Sequence, residues 1–488
     1  MNQRILARRL APVVIVGAVV NGAPVFAGDP EGFRYDASNV DVAAHWAARS
    51  TLANAVMFSG LGEKLGMSMS EQDAILKHAG YIARPPMPDM AMVGAVYAAG
   101  DPAFTTEPDF SKPETLRWDS AAFDRTLDPG AQAWTLIKIT SPEFHLNFHE
   151  RKEDRRAALL MLPQATMQAG ALDQRLRDPN GLFAALAPDG RFREPEPSDQ
   201  AVVLWGVSNL MLAATSERDD YWHQAYRDLV DPNDWSDLAD AAFAAVQQLP
   251  PERPADRALA IEALGRYALA TTDAERRTEA LRLAREHADA LMDLGEAALE
   301  DIGLAVYGLI EASRLLGEAA YADVAAEMVH TALLPRWNDE LGVFGRADGE
   351  AYVSYTPRTL GALVAALNAM RWHGPADLAD EAERLYPKLF ETILVRAGLL
   401  RSSPLPLVPT DDRGALPDAL FDALPDPTEA GVAPVFAGEV RYEKGAWRLS
   451  DPMFRTADAM FLTNMLVMSR DGQADAFLPA DWLAGLKR

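Results

Sequence analysis

Residues 304–344 read LAVYGLIEASRLLGEAAYADVAAEMVHTALLPRWNDELGVF. The first part completes EDIGLAVYGLIEASRLLG (300–317), apolar on most of its circumference after an acidic opening turn. Such a pattern suits a helix enclosed by other helices. In YADVAAEMVHTALL (321–334) the apolar residues recur every three or four positions, with charge on the other side. That suits a helix with one face on a core and one in water. The chain then turns through Trp337–Phe344, where Gly342 allows a positive φ and the two aromatic residues pin the loop. The unit is therefore an inner helix, an outer helix and a turn.

The same alternation recurs from residue 142 to the C-terminal region. Inner helices are expected to open near Pro142, Asp199, Asp256, Asp301, Pro357 and Arg455, at irregular spacings of 45 to 98 residues. SDQAVVLWGVSNLMLAAT (198–215), ADRALAIEALGRYALATT (255–272), TPRTLGALVAALNAM (356–370) and FRTADAMFLTNMLVMS (454–469) each begin with a capping residue, a proline or a polar turn, followed by a long apolar body. AERRTEALRLAREHADALMDLG (274–295) is the most charged outer helix. Six such pairs form a closed ring if the ends meet. The last inner helix has no amphipathic partner after it, whereas residues 41 to 58 supply one near the N-terminus, so closure is expected. Pro-rich stretches at 84–117 and 403–434 read as loops over the ring, and VFAGEVRYEKGAWRLSD (435–451) as a β-hairpin.

The chain has 488 residues, no cysteine and a formal charge of −25. The missing cysteines exclude thiolate metal sites, iron–sulfur clusters and a cysteine nucleophile. The acidity argues against nucleic acid or anionic lipid as a partner. Arg4, Arg8 and Arg9 precede an apolar run from Leu10 to Val20, with Val25 and Ala27 at the cleavage-site positions, so residues 1–27 read as a secretory signal peptide. Its removal takes three arginines and shifts the charge from −25 to −28. The expected location is periplasmic or secreted, with no membrane contact after cleavage. The expected domains are the signal peptide, residues 28–140 as closing helix and covering loops, and residues 141–488 as the ring, the last two forming one domain.

The helix pair at 304–334, and the turn Trp337, Asn338, Asp339, Glu340, Leu341, Gly342, Val343, Phe344, resemble the hairpin of six-hairpin (α/α)6 toroid proteins. That class includes N-acylglucosamine 2-epimerase-like enzymes, many glycoside hydrolases and some polysaccharide lyases. The resemblance spans residues 304–367 and implies an all-α toroid, here with a small β-hairpin insertion near the C-terminus. No catalytic motif of the epimerases matches, so none of their residues is carried over.

Topology gathers the N-termini of parallel inner helices at one mouth. His145, His149, Asp199, Asp256, Arg257, Glu300, Asp301, Arg358, Arg455 and Asp458 are therefore expected to become neighbours. Asp and Ser at such positions also serve as plain helix caps. In SPEFHLNFHE (141–150), four residues put His145 and His149 on one helical face, suited to acid–base work. Lys152 and Arg156 continue that strip, which argues against a metal there. SERDDYWHQAYRD (216–228) resembles a sugar-binding surface in composition but follows the far end of an inner helix. DGEAYVSYTPR (348–358) leads into one, which points Tyr352, Tyr355 and Arg358 toward the mouth.

The catalytic candidates are thus His145, His149, Asp301 and Asp458, the last two as a nominal carboxyl pair. Asp199, Trp337, Tyr352, Tyr355, Arg358 and Arg455 are candidate ligand-binding groups. No cofactor is expected. The chemistry expected is that of a hydrolase, lyase or epimerase acting on a saccharide-like or polar small molecule. The alternatives are a non-catalytic periplasmic binding or scaffold protein, and a metal-binding protein in which His145 and His149 are joined by His45 or a distant acid.

Overall fold

The computed structural model describes residues 35–37, 40–52, 61–66, 91–100, 123–141, 152–217, 221–345, 352–400 and 436–467, with a few isolated positions between 70 and 121. Its helices are α1 Val40–Leu52, α2 Pro129–Ile139, α3 Lys152–Arg175, α4 Pro197–Thr215, α5 Tyr221–Leu229, α6 Ser236–Gln248, α7 Pro254–Ala270, α8 Ala274–Met292, α9 Leu299–Leu316, α10 Ala319–Met328, α11 Pro357–His373, α12 Ala376–Phe390 and α13 Thr456–Leu466. The strands are β1 Gly62–Gly66, β2 Ala91–Gly100, β3 Phe123–Leu127, β4 Trp337–Asn338, β5 Val343–Phe344, β6 Tyr352–Tyr355, β7 Glu439–Glu443, β8 Ala446–Asp451 and β9 Phe454–Arg455.

Six helices close a ring: α2 packs on α4, α4 on α7, α7 on α9, α9 on α11, α11 on α13, and α13 back on α2. Outside them, α3 covers α2, α6 covers α4, α8 covers α7, α10 covers α9, α12 covers α11 and α1 covers α13. The fold is an (α/α)6 toroid of helical hairpins. The two layers differ in how much of each helix leaves water. In α4 every residue from Gln200 to Ala214 is buried. In α8 only Ala280, Ala284, His287, Ala288 and Leu291 are, a single stripe at helical spacing. Each large side chain so enclosed contributes about 1.5–3 kcal/mol relative to exposure.

The first inner helix is α2, not one opening at Pro142. PGAQAWTLIKI is only 11 residues long and buried throughout, so it shows no periodicity to read. Its start is nevertheless marked, because Asp128 caps it by accepting from the Ala131 N–H at 3.2 Å, with Pro129 in the first turn. The chain that follows supplies the outer helix α3. His145 and His149 lie outside the described residues. The chain leaves α2 at Ser141 and is described again from Lys152, which opens α3.

The seam closes as the N-terminal amphipathic stretch suggested. α1 lies on α13, and the buried Arg371 of α11 reaches Asp41 of α1 through two bonds of 2.9 Å while also pairing with Glu383 of α12. On the inner side, Asn464 donates to the Trp134 carbonyl at 2.9 Å and the buried Lys138 ammonium to that of Val467 at 3.0 Å. The hairpin near the C-terminus is present as β7–β8, turning at Lys444 and Gly445 with φ of 52° and 82°, and β6 adds a third strand. The 84–117 region is not all loop: it contains β2, which pairs with β1, β3 and β9. Alternation of small residues in AMVGAVYAAG hides that strand from a reading based on bulky β-formers.

Candidate active site at the ring mouth

All inner N-termini meet at one end of the ring. A Cβ built on Gly130 of α2 would lie 2.8 Å from Asp199 Oδ1 of α4, 3.1 Å from Asp128 Oδ1 and 3.6 Å from the Ala457 methyl of α13. Asp301 of α9 accepts from the Ala255 N–H of α7 at 3.2 Å. Arg358 of α11 donates from Nε to Glu300 of α9 at 3.2 Å, and its guanidinium lies 4.9 Å from the centre of the Phe461 ring of α13. These contacts carry the circle from α2 through every neighbour that the ring's topology demands, save the α4–α7 step, where Asp199 and Asp256 act on each other electrostatically.

A common register produces the cluster. Asp199, Asp256, Asp301 and Asp458 are each the third residue of their helix. There the helix dipole favours an acid, yet only Asp301 is spent on a neighbouring backbone N–H among the bonds described above. Asp128, the N-cap of α2, adds a fifth carboxyl group.

The electrostatics are unusual because these acids crowd one another in a poorly solvated place. Burial, then the Asp128 and Glu196 carboxylates, push the Asp199 carboxyl well above the usual range, against a partial pull from Arg358. Burial also raises Asp128, opposed by the Ala131 and Gly130 N–H groups and reinforced by Glu196 and Asp458. Asp458 is raised by burial and held back by Arg358 and Arg455. Asp256 is raised by burial too, with Arg253 and Arg358 opposing. For Arg358, burial disfavours the charge, but Glu300 and Asp458 outweigh it and hold the guanidinium charged. A buried carboxyl whose proton affinity is raised further by neighbouring acids is the kind of group from which proton donors are made.

Beneath this polar rim lies an aromatic layer. Trp134 contacts Phe461 edge to face at 5.1 Å and Trp205 at 5.4 Å, and all three rings are fully buried. Trp134 and Trp205 follow Asp128 and Asp199 by six residues each, about 9 Å along the helix.

The remaining candidates separate from this cluster. Arg455 is exposed and bound to Asp451 at 2.7 Å, at the rim. Tyr355 is buried, its hydroxyl accepting from the Phe344 N–H at 2.9 Å and donating to the Phe344 carbonyl at 2.7 Å, so it anchors the turn rather than facing a ligand. Trp337 packs on Phe344 at 4.9 Å and donates to Asp339 at 2.8 Å, in the same turn. Tyr352 belongs to β6, and its side chain lies outside the described residues. The mouth position of His145 and His149 depended on an inner helix opening at Pro142, and no longer follows. Among the described residues, no group of three His, Asp or Glu is disposed to hold a metal ion. Asp128 escaped the sequence reading, although its Asp-Pro pair carries the same signal as Thr356-Pro357.

No protein-family profile and no curated protein matches the chain. Solved structures do show similarity. A D-mannose isomerase is 13% identical with a TM-score of 0.44, covering 82% of this chain and 97% of its own. A sugar epimerase from a ruminal bacterium is 12% identical with a TM-score of 0.43, covering 82% and 98%. The cellobiose 2-epimerase from Bacillus thermoamylovorans B4167 is 9% identical with a TM-score of 0.45, covering 81% and 97%.

Proposed function

We propose that the chain is an exported enzyme that binds a saccharide at the ring mouth and cleaves a glycosidic bond by carboxyl acid–base catalysis. The observation that carries this reading is the Asp199 carboxyl, pressed against Gly130 and Asp128 and raised well above the usual carboxylate range by burial and by Asp128 and Glu196, whereas the burial that raises Asp458 is opposed by Arg358 and Arg455. Asp199 gives its proton to the glycosidic oxygen as the carbon–oxygen bond breaks. Asp458 takes a proton from a water whose oxygen bonds to the anomeric carbon. The carboxylates accept from sugar hydroxyls, and Arg358 donates to them.

Purified protein tested on a panel of oligosaccharides should release shorter products, and Asp199→Asn should lower kcat by about 10²–10⁴-fold. The basic limb of the pH–rate profile, set by loss of the Asp199 proton, should vanish in that variant. Turnover unaffected by Asp199→Asn sinks the assignment. Absence of binding to every glycan sinks the saccharide reading itself.

A further inference from the structure

The mouth is charge-mismatched in a specific way. Its arginines are already committed: Arg358 to Glu300 and the Phe461 face, Arg253 to Glu300 at 3.8 Å, and Arg455 to Asp451. Among the described residues, Asp128 and Asp256 are left without an ion-pair partner of their own. Asp256 gives the independent clue. It is 5% exposed, and its Oδ1 has no hydrogen-bond partner among the described residues. A buried carboxylate oxygen without a donor is costly; of the charges acting most strongly on it, Arg253 and Arg358 favour ionisation while Glu300 and Asp301 oppose it.

A point cation does not answer this arrangement, since no three of these groups are placed to hold one metal ion. An alkylammonium does, because it brings one positive charge and three N–H donors that reach separate acceptors. We infer that the saccharide taken by this mouth carries a protonated amine, which docks on Asp256 with Asp199 beside it. The inference rests on the saccharide reading above and narrows it to amino sugars with a free amine. Uronates, with charge of the opposite sign, are rejected by the same carboxylates.

Isothermal titration of the full chain near pH 6 tests this with four probes: a chitosan tetrasaccharide, its fully N-acetylated counterpart, cellotetraose and spermidine. The chitosan tetramer should bind at least about tenfold more tightly than the acetylated and the neutral tetramers. Asp256→Asn should shrink that preference to within about threefold while the protein stays folded by circular dichroism, and Asp256→Ser serves as a second variant if the first proves unstable. Equal binding of cellotetraose overturns the amine inference and leaves the saccharide reading standing. Binding of spermidine with no tetrasaccharide bound overturns the amino-sugar assignment and the saccharide reading together, as does no binding at all. Stoichiometric displacement of the chitosan tetramer by calcium overturns the argument against a point cation.

Discussion

Among the described residues, two clusters of buried charge are built on opposite plans. In the far half of the ring, Glu262 and Arg266 of α7 lie 2.6 Å apart, one turn apart on the same helix, both almost completely enclosed. Beside them on α9, Glu311 pairs with Arg314 at 3.3 Å, and the raised Tyr307 hydroxyl sits in their field after burial has already pushed it up. Each acid there has its own arginine. At the mouth the acids outnumber their partners, and among the described residues one oxygen of Asp256 has none. A matched cluster within a core is compatible with packing alone, whereas a mismatched one costs stability and persists where a ligand completes it.

The largest test of that contrast is to unmatch the matched cluster. Arg266→Ala leaves Glu262 buried without its partner and should cost about 3–5 kcal/mol in urea unfolding. A loss under about 1 kcal/mol would show that the far cluster is not held by its pairing. At the mouth the same kind of experiment should run the other way. Asp256→Asn removes a crowded acid and should leave stability unchanged or raise it by about 1 kcal/mol, while ligand binding falls. A loss comparable to that of Arg266→Ala would erase the distinction between the clusters.

Gly130→Ala sharpens the comparison further. Its new methyl would lie 2.8 Å from the Asp199 carboxylate oxygen, so that side chain must shift to make room. Stability should change by less than about 1 kcal/mol, but Asp199 leaves Asp128 and its proton affinity should fall. The effect is read as a shift of the basic limb of the rate profile toward lower pH.

The pH dependence of stability carries the smallest and most diagnostic signal. A carboxyl whose folded pKa is raised binds its proton more tightly when folded, so Asp199 stabilises the fold below its unfolded pKa of about 3.9, and that contribution is lost as pH rises through the folded value. His287 of α8 behaves oppositely. Burial and the neighbouring Arg257 lower its pKa from 6.5 to about 4, so its contribution is present above 6.5 and lost as pH falls toward 4. Subtracting the pH–stability curve of Asp199→Asn from that of the wild type should isolate a component that declines with rising pH. A flat difference would contradict the raised carboxyl.

Long inner helices were legible because burial on all sides leaves an apolar run that nothing else explains, as in VVLWGVSNLMLAA. The closing helix was legible from the unpaired last hairpin. The first inner helix was not, since eleven residues buried throughout have no period, and the Pro142 signal imitated the true start at Pro129. Convergence of the mouth acids followed from topology before any coordinate. Their ranking did not: Asp199 reads as an ordinary cap, and only the close approach of Gly130 reveals the carboxylate beside it. The shared third-residue register of Asp199, Asp256, Asp301 and Asp458 was present in the sequence as a usable signal, whereas the burial that separates Tyr355 from the mouth was not.

The Asp199 carboxyl at the mouth should hold its proton when ordinary aspartates have lost theirs. Selective carbon-13 labelling of aspartate carboxyls, followed by a pH titration of wild type and Asp199→Asn, observes it directly. The signal missing from the variant should titrate well above the normal aspartate range. If that signal titrates among the surface aspartates, the mouth holds no proton donor and the catalytic account fails.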